Sequence, residues 1–175
     1  MDVMPILPET EVEAAAALHL GRLLFVFGRL ELHLGLALLH TGPADDVGRA
    51  AARIERLSFD DKLREWEAEV ARRHAGDAAL LARWQRWFAA AYGLRKLRKA
   101  FAQGCWGFRN MQQEIVHAST LPCNPEQDEV RYTLAGFAAR VVEAEDVAEE
   151  FCALTDLYRL EPGHRSASGC EGGAV

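Results

Sequence analysis

Residues 11–40 contain no proline and consist largely of Leu, Ala and Phe. They predict one long helix from Glu11 to His40. Thr10 is placed to cap it, Glu11 and Glu13 suit the positive end of its dipole, and Thr41-Gly42-Pro43 ends it. The run is apolar enough to suggest a membrane span, but His19, Arg22, Arg29, Glu31 and His33 argue against one. His19, Arg22, Arg29, His33 and His40 fall within roughly 80° of each other on a helical wheel. The remainder is apolar, which predicts a buried bundle helix with a narrow polar stripe. Glu31 lies off that stripe among leucines. It is expected to be buried or half-buried and hydrogen-bonded near the segment from Arg109 to His117, because an unpaired buried carboxylate is costly. Gly21, Gly28 and Gly35 repeat every seven residues, and each costs about 1 kcal/mol relative to alanine. Their register suggests that another backbone approaches closely along that line.

The rest of the chain continues the helical theme. A second helix is expected from Ala44 to Leu57. Ser58-Phe59-Asp60-Asp61 resembles a capping box for a third helix, Phe59 to Arg73, with Leu63, Trp66 and Val70 on one face. Gly76-Asp77 breaks the chain, and a fourth helix is expected from Ala78 to about Val116. Val130 to Leu134 alternates as a strand, and Ala135-Gly136 could turn it into Phe137 to Val142. A last helix is expected from Ala144 to Leu160. The fold class is therefore all-α, a four- to five-helix bundle with a small β-hairpin before the last helix. At 175 residues the chain suits one domain, residues 1–162, followed by a Gly/Ser-rich tail, residues 163–175, expected to be disordered.

A formal charge of −6 argues against non-specific binding of DNA or anionic membrane over the whole surface, though not against a local basic patch. Cys105, Cys123, Cys152 and Cys170 lie far apart, with no zinc-ligand spacing, and read as reduced thiols. No basic stretch precedes an apolar run at Met1-Asp2-Val3-Met4-Pro5. The expectation is a cytoplasmic protein without metal or cofactor.

The segment Arg109-Asn110-Met111-Gln112-Gln113-Glu114-Ile115-Val116-His117-Ala118 holds the densest candidate chemistry. On a continuous fourth helix, Gln113, Asn110, Trp106, Lys99 and Arg95 fall within roughly 40° of His117. One face would then run from the basic residues Arg95, Lys96, Arg98 and Lys99 past an aromatic ring to an amide pair and an imidazole. A histidine can take the proton of a ribose 2′-hydroxyl, and an arginine can stabilise a developing phosphorane. The same residues also suit a solvated bundle face, with Trp106 in the core and His117 complementing a helix dipole.

The stretch from Gln113 to Ala118, late in a helix, resembles the R-N-x-I-V-H-G signature of the HEPN superfamily. Phe27-Gly28-Arg29-Leu30-Glu31 is similar to the family's F-x-x-L-E pattern, and Phe59 to Leu63 resembles the segment before its third helix. The resemblance implies an α-helical, dimeric protein of a kind that includes metal-independent ribonucleases of toxin–antitoxin, phage-defence and CRISPR systems. The family motif is an Arg, four to six residues, then a His, with two protomers forming one composite site. Here Gln112 and Gln113 stand where the Arg-Asn pair usually lies, and Arg109-Asn110 comes three residues earlier. His117 and Glu31 match the pattern. The implied function is a degenerate dimeric module that binds RNA, an antitoxin or another protein. The alternatives are an active endoribonuclease and a purely structural adaptor. In the ribonuclease, His117 would be the base, Arg109 the phosphate stabiliser, and Asn110 or Gln113 the orienting group.

Overall fold

The computed structural model describes residues 9–41, 46–102, 105–109, 114–118 and 129–155. In chain order these form α1 (Glu9–Leu39), α2 (Val47–Glu55), α3 (Phe59–Arg73), α4 (Ala78–Ala102), β1 (Cys105–Arg109), β2 (Glu114–Ala118), β3 (Glu129–Thr133) and α5 (Leu134–Thr155). The expected all-α bundle with a small β element before its last helix is present. Residues 163–175, expected to be a tail, lie outside the described residues.

Helix α3 has the expected limits, because its signals are local. The Ser58 hydroxyl accepts the Asp61 N–H at 3.2 Å, and Asp60 and Asp61 lie in the first turn, where carboxylates suit the dipole. Thr10 is already inside α1 rather than capping it. Helix α2 is shorter than expected and starts after Asp46, whose side chain accepts the Arg49 N–H at 3.3 Å.

Two expectations are corrected. The fourth helix does not reach Val116; it ends at Ala102, and residues 105–109 and 114–118 pair as antiparallel strands. Gly107, Trp106, Ile115 and Val116 are poor or neutral helix residues, and the aromatic and β-branched ones suit a pleated surface. The second correction concerns Phe137 to Val142, which is helix rather than strand. The Gly136 N–H donates to Thr133 Oγ1 at 3.0 Å, so the last residue of β3 caps α5. Phe137, Val141, Ala144, Ala148 and Phe151 then fall on one buried face at helical spacing. The sheet is a meander in the order β1-β2-β3 and follows α4.

The core joins all the helices. Leu23, Phe27, Leu30 and Leu34 of α1, Leu63 of α3, Ala91 of α4 and Phe151 of α5 are buried. Packing of α1 is most extensive against α5. Trp66, Trp84, Trp87, Phe88 and Phe151 form an aromatic cluster with mostly edge-on contacts. The Trp87 indole N–H donates to the Val147 carbonyl at 2.8 Å and ties α4 to α5. Helix α1 is not buried all round. Its far side exposes Leu18, Phe25 and Leu32, and no neighbour lies within 4 Å of where a Cβ would sit at Gly21 or Gly28. The close backbone approach expected at these glycines does not occur among the described residues, and at Gly35 the nearest atom is the Ile54 side chain at 3.5 Å.

Candidate nucleic-acid interface

Arg95, Arg98 and Lys99 stand at i, i+3 and i+4 on α4, so they share one side of the helix. That side faces the start of α3. Between them lies a cleft of 390 Å³, lined by Ser58, Phe59, Asp60, Arg95, Arg98, Lys99 and Ala102. Arg95 is ion-paired with Asp60. The guanidinium carbon of Arg98 sits 4.3 Å from the centre of the Phe27 ring, a cation–π contact that holds the charge at the cleft. Asp60 Oδ1 is buried and has no hydrogen-bond partner among the described residues, which leaves the floor of the cleft one acceptor. Lys96, grouped with these cations by sequence, turns elsewhere. It lines a 710 Å³ groove between α4 and α5 with Arg140, Glu143 and Asp146.

The strands separate the other candidates from this cleft's helix. His117 lies on β2, opposite Trp106 of β1 and Val130 of β3. It is 2% exposed, with its ring 4.6 Å from that of Trp106 and 6.3 Å from that of Phe101. The helical alignment of His117 with Lys99 and Arg95 therefore does not exist, because α4 ends at Ala102 and His117 lies on a strand. Arg109 occupies β1 opposite Glu114, and its side chain is outside the described part. Asn110 and Gln113, like Gln112, also lie outside the described residues.

Glu31 is half-buried as expected, but its partner is different. Its carboxylate accepts a hydrogen bond from Lys62 Nζ at 3.0 Å, with the two side chains 31% and 10% exposed respectively. The pair joins α1 to α3 rather than reaching the strands. Sequence reasoning missed Lys62, which reads as one more charge in an amphipathic helix although it is 8% exposed.

It also missed His33 and Cys152, whose Nδ1 and Sγ lie 3.2 Å apart where α1 meets α5. Burial, with a smaller contribution from the Arg29 charge, holds the His33 pKa below 6.5. A histidine whose folded pKa is depressed binds fewer protons folded than unfolded at mildly acidic pH. Its contribution to stability is thus complete above the unfolded pKa and is lost as the pH falls below it. Thermal melts from pH 7.5 to pH 5 should therefore show a smaller loss of Tm in His33→Gln than in wild type. Equal slopes would show that His33 does not contribute.

Among the described residues no helix is long and apolar enough to cross a membrane, and no group of three or more His, Cys, Asp or Glu side chains could hold a metal ion. Compared with family models, curated proteins and solved structures, the chain finds no match.

Proposed function

We propose that this protein is a degenerate HEPN-like dimeric module that binds single-stranded RNA without cleaving it. The observation that carries the reading is the gathering of Arg98 and Lys99, beside the Asp60-paired Arg95, around one cleft at the end of α4. Phosphate contacts from Arg and Lys supply most of the affinity of such complexes, and Arg can grip a phosphate bidentately. On a chain of net charge −6, this local concentration of positive charge would orient an approaching polyanion.

The end of the long helix supports the absence of turnover. With α4 ending at Ala102, the resemblance would place its His five to seven residues after an Arg near that end. After Arg98 those positions are Gln103, Gly104 and Cys105; after Arg95 they are Ala100, Phe101 and Ala102. None is a general base. His117 is embedded among aromatic rings, away from solvent.

Fluorescence anisotropy with a labelled single-stranded RNA tests the binding. Arg98→Gln and Lys99→Ala should each weaken binding about tenfold and reduce the dependence of log K on log salt by about one. Lys96→Ala, in the groove between α4 and α5, should leave both nearly unchanged. Unchanged affinity in Arg98→Gln and Lys99→Ala would remove the cleft from the reading and leave the structural adaptor. Metal-free RNA cleavage by wild type that disappears in His117→Ala would install the ribonuclease.

A further inference from the structure

The exposed side of α1 carries large apolar residues and glycines in a repeating pattern. Leu18, Phe25 and Leu32 repeat every seven residues, and Gly21, Gly28 and Gly35 repeat three positions after them. These are the two seam positions of a heptad. The large residues are 63%, 79% and 60% exposed, yet the opposite side of the same helix already fills the core with Leu23, Phe27, Leu30 and Leu34. A shallow depression of 530 Å³ lies along this outer side, lined by Gly21, Leu24, Phe25, Gly28, Arg29 and Leu32. Glycine is among the weakest helix formers, and among the described residues nothing lies within 4 Å of a Cβ placed at Gly21 or Gly28.

We infer that two copies of this chain pair through α1, antiparallel about a twofold axis, with Phe25 and Leu32 of each copy seated on Gly28 and Gly21 of the other. The dimeric part of the proposed function is the reading this inference rests on, and it adds the surface, direction and register.

The pattern is self-complementary in one register. An axis passing between Val26 and Phe27 sets Phe25 of one copy over Gly28 of the other. The same register sets Leu32 over Gly21 and brings Leu18 to the end of the seam near Gly35, which Ile54 of α2 already flanks. The twofold then repeats each contact, as an isologous interface requires. Parallel pairing would instead set each residue against itself, leucine on leucine and glycine on glycine.

The area is also of the right order. Leu18, Leu24, Phe25, Leu32 and Leu36 together leave on the order of 500 Å² of apolar side chain in water per copy, at the upper end of what monomers expose. Doubled, and with the stems of Arg22 and Arg29 at the margin, it approaches the ~1,200–2,000 Å² of stable interfaces.

Light scattering on the full chain at about 50 micromolar should give twice the 19.4 kDa chain mass. Phe25→Glu should give a folded monomer by circular dichroism. Gly28→Leu is the sharper variant. Within one copy it meets nothing and replaces a poor helix former, so its melting in dilute solution should not worsen, whereas the dimer should weaken at least tenfold. Oxidation of a mixture of Phe25→Cys and Gly28→Cys should give a disulfide-linked pair beyond the wild-type background. Leu18→Cys alone should not, because its two copies would lie about 25 Å apart along the axis. A covalent Leu18→Cys pair would mean parallel packing and overturn the register. A dimer that survives both Phe25→Glu and Gly28→Leu would place the interface elsewhere. A wild-type monomer that still binds RNA through the α3–α4 cleft would end this inference and leave RNA binding standing.

Discussion

Trp84→Ala should cost about 3–5 kcal/mol and lower the Tm by roughly 10 °C or more. The indole is 2% exposed and touches Trp66, Trp87, Phe88 and Phe151, with ring centroids 5.5–6.1 Å apart. Truncation removes its buried apolar surface. It also leaves a cavity that rigid neighbouring rings cannot readily collapse into, and the edge-to-face contacts are lost with it. Trp84→Phe should be much milder. The Trp84 indole N–H has no hydrogen-bond partner among the described residues, so replacing it with carbon leaves no acceptor stranded. Thermal unfolding followed by circular dichroism separates the two variants. Similar losses in both would mean that the cluster depends on the indole shape in a way its contacts do not show.

The Glu31–Lys62 pair should respond unequally to loss of its two members. Lys62 has a side chain only 10% exposed, and Glu31 is its partner at 3.0 Å; Glu31 keeps 31% of its own surface in water. Glu31→Ala leaves an ammonium in a place where water reaches poorly, and should cost about 2–3 kcal/mol. Lys62→Met keeps the length and apolar contacts of the stem and leaves a carboxylate that solvent can partly serve, at a cost of about 1 kcal/mol or less. In the double variant the stranded charge is gone, and stability should recover part of the Glu31→Ala loss. Urea unfolding of the three variants measures this directly. Additive losses would mean that the two groups do not interact, contrary to the geometry.

How much could be read in advance depended on how far apart in the chain the deciding residues lie. Helix α3 was legible to the residue, because Ser58, Asp60 and Asp61 and the apolar spacing of Leu63, Trp66 and Val70 act within the segment itself. The stretch from Cys105 to Ala118 was misread because Trp106, Asn110, Gln113 and His117 fit a helical face on paper. What decides for strand is pairing of β2 with both β1 and β3, and residue spacing along one segment cannot show that. Phe137 was misread in the other direction: Thr133 alternates as a strand residue and also caps α5. Glu31 was correctly judged to need a partner, but the choice of Lys62 is a fact of how α1 meets α3. In the candidate site, helix geometry alone could not separate Lys96 from Lys99, which lie about 60° apart around the axis; what parts them is the packing of α3 and α5 on different sides of α4. The depth of His117 was equally hidden, because it depends on strands that the helical reading did not contain.

The packing of α1 chiefly against α5 has a consequence during synthesis. The helix that leaves the ribosome first has its main partner at residues 134–155, the last element of the described fold. At about 5–20 residues per second, some ten seconds separate the two. Throughout that interval both apolar sides of α1 are available to the solvent, to neighbouring nascent chains and to chaperones. The nascent chain therefore carries its stickiest surface for longest. Slowing translation between α1 and α5 should lower the yield of folded protein more than slowing it after α5 is complete.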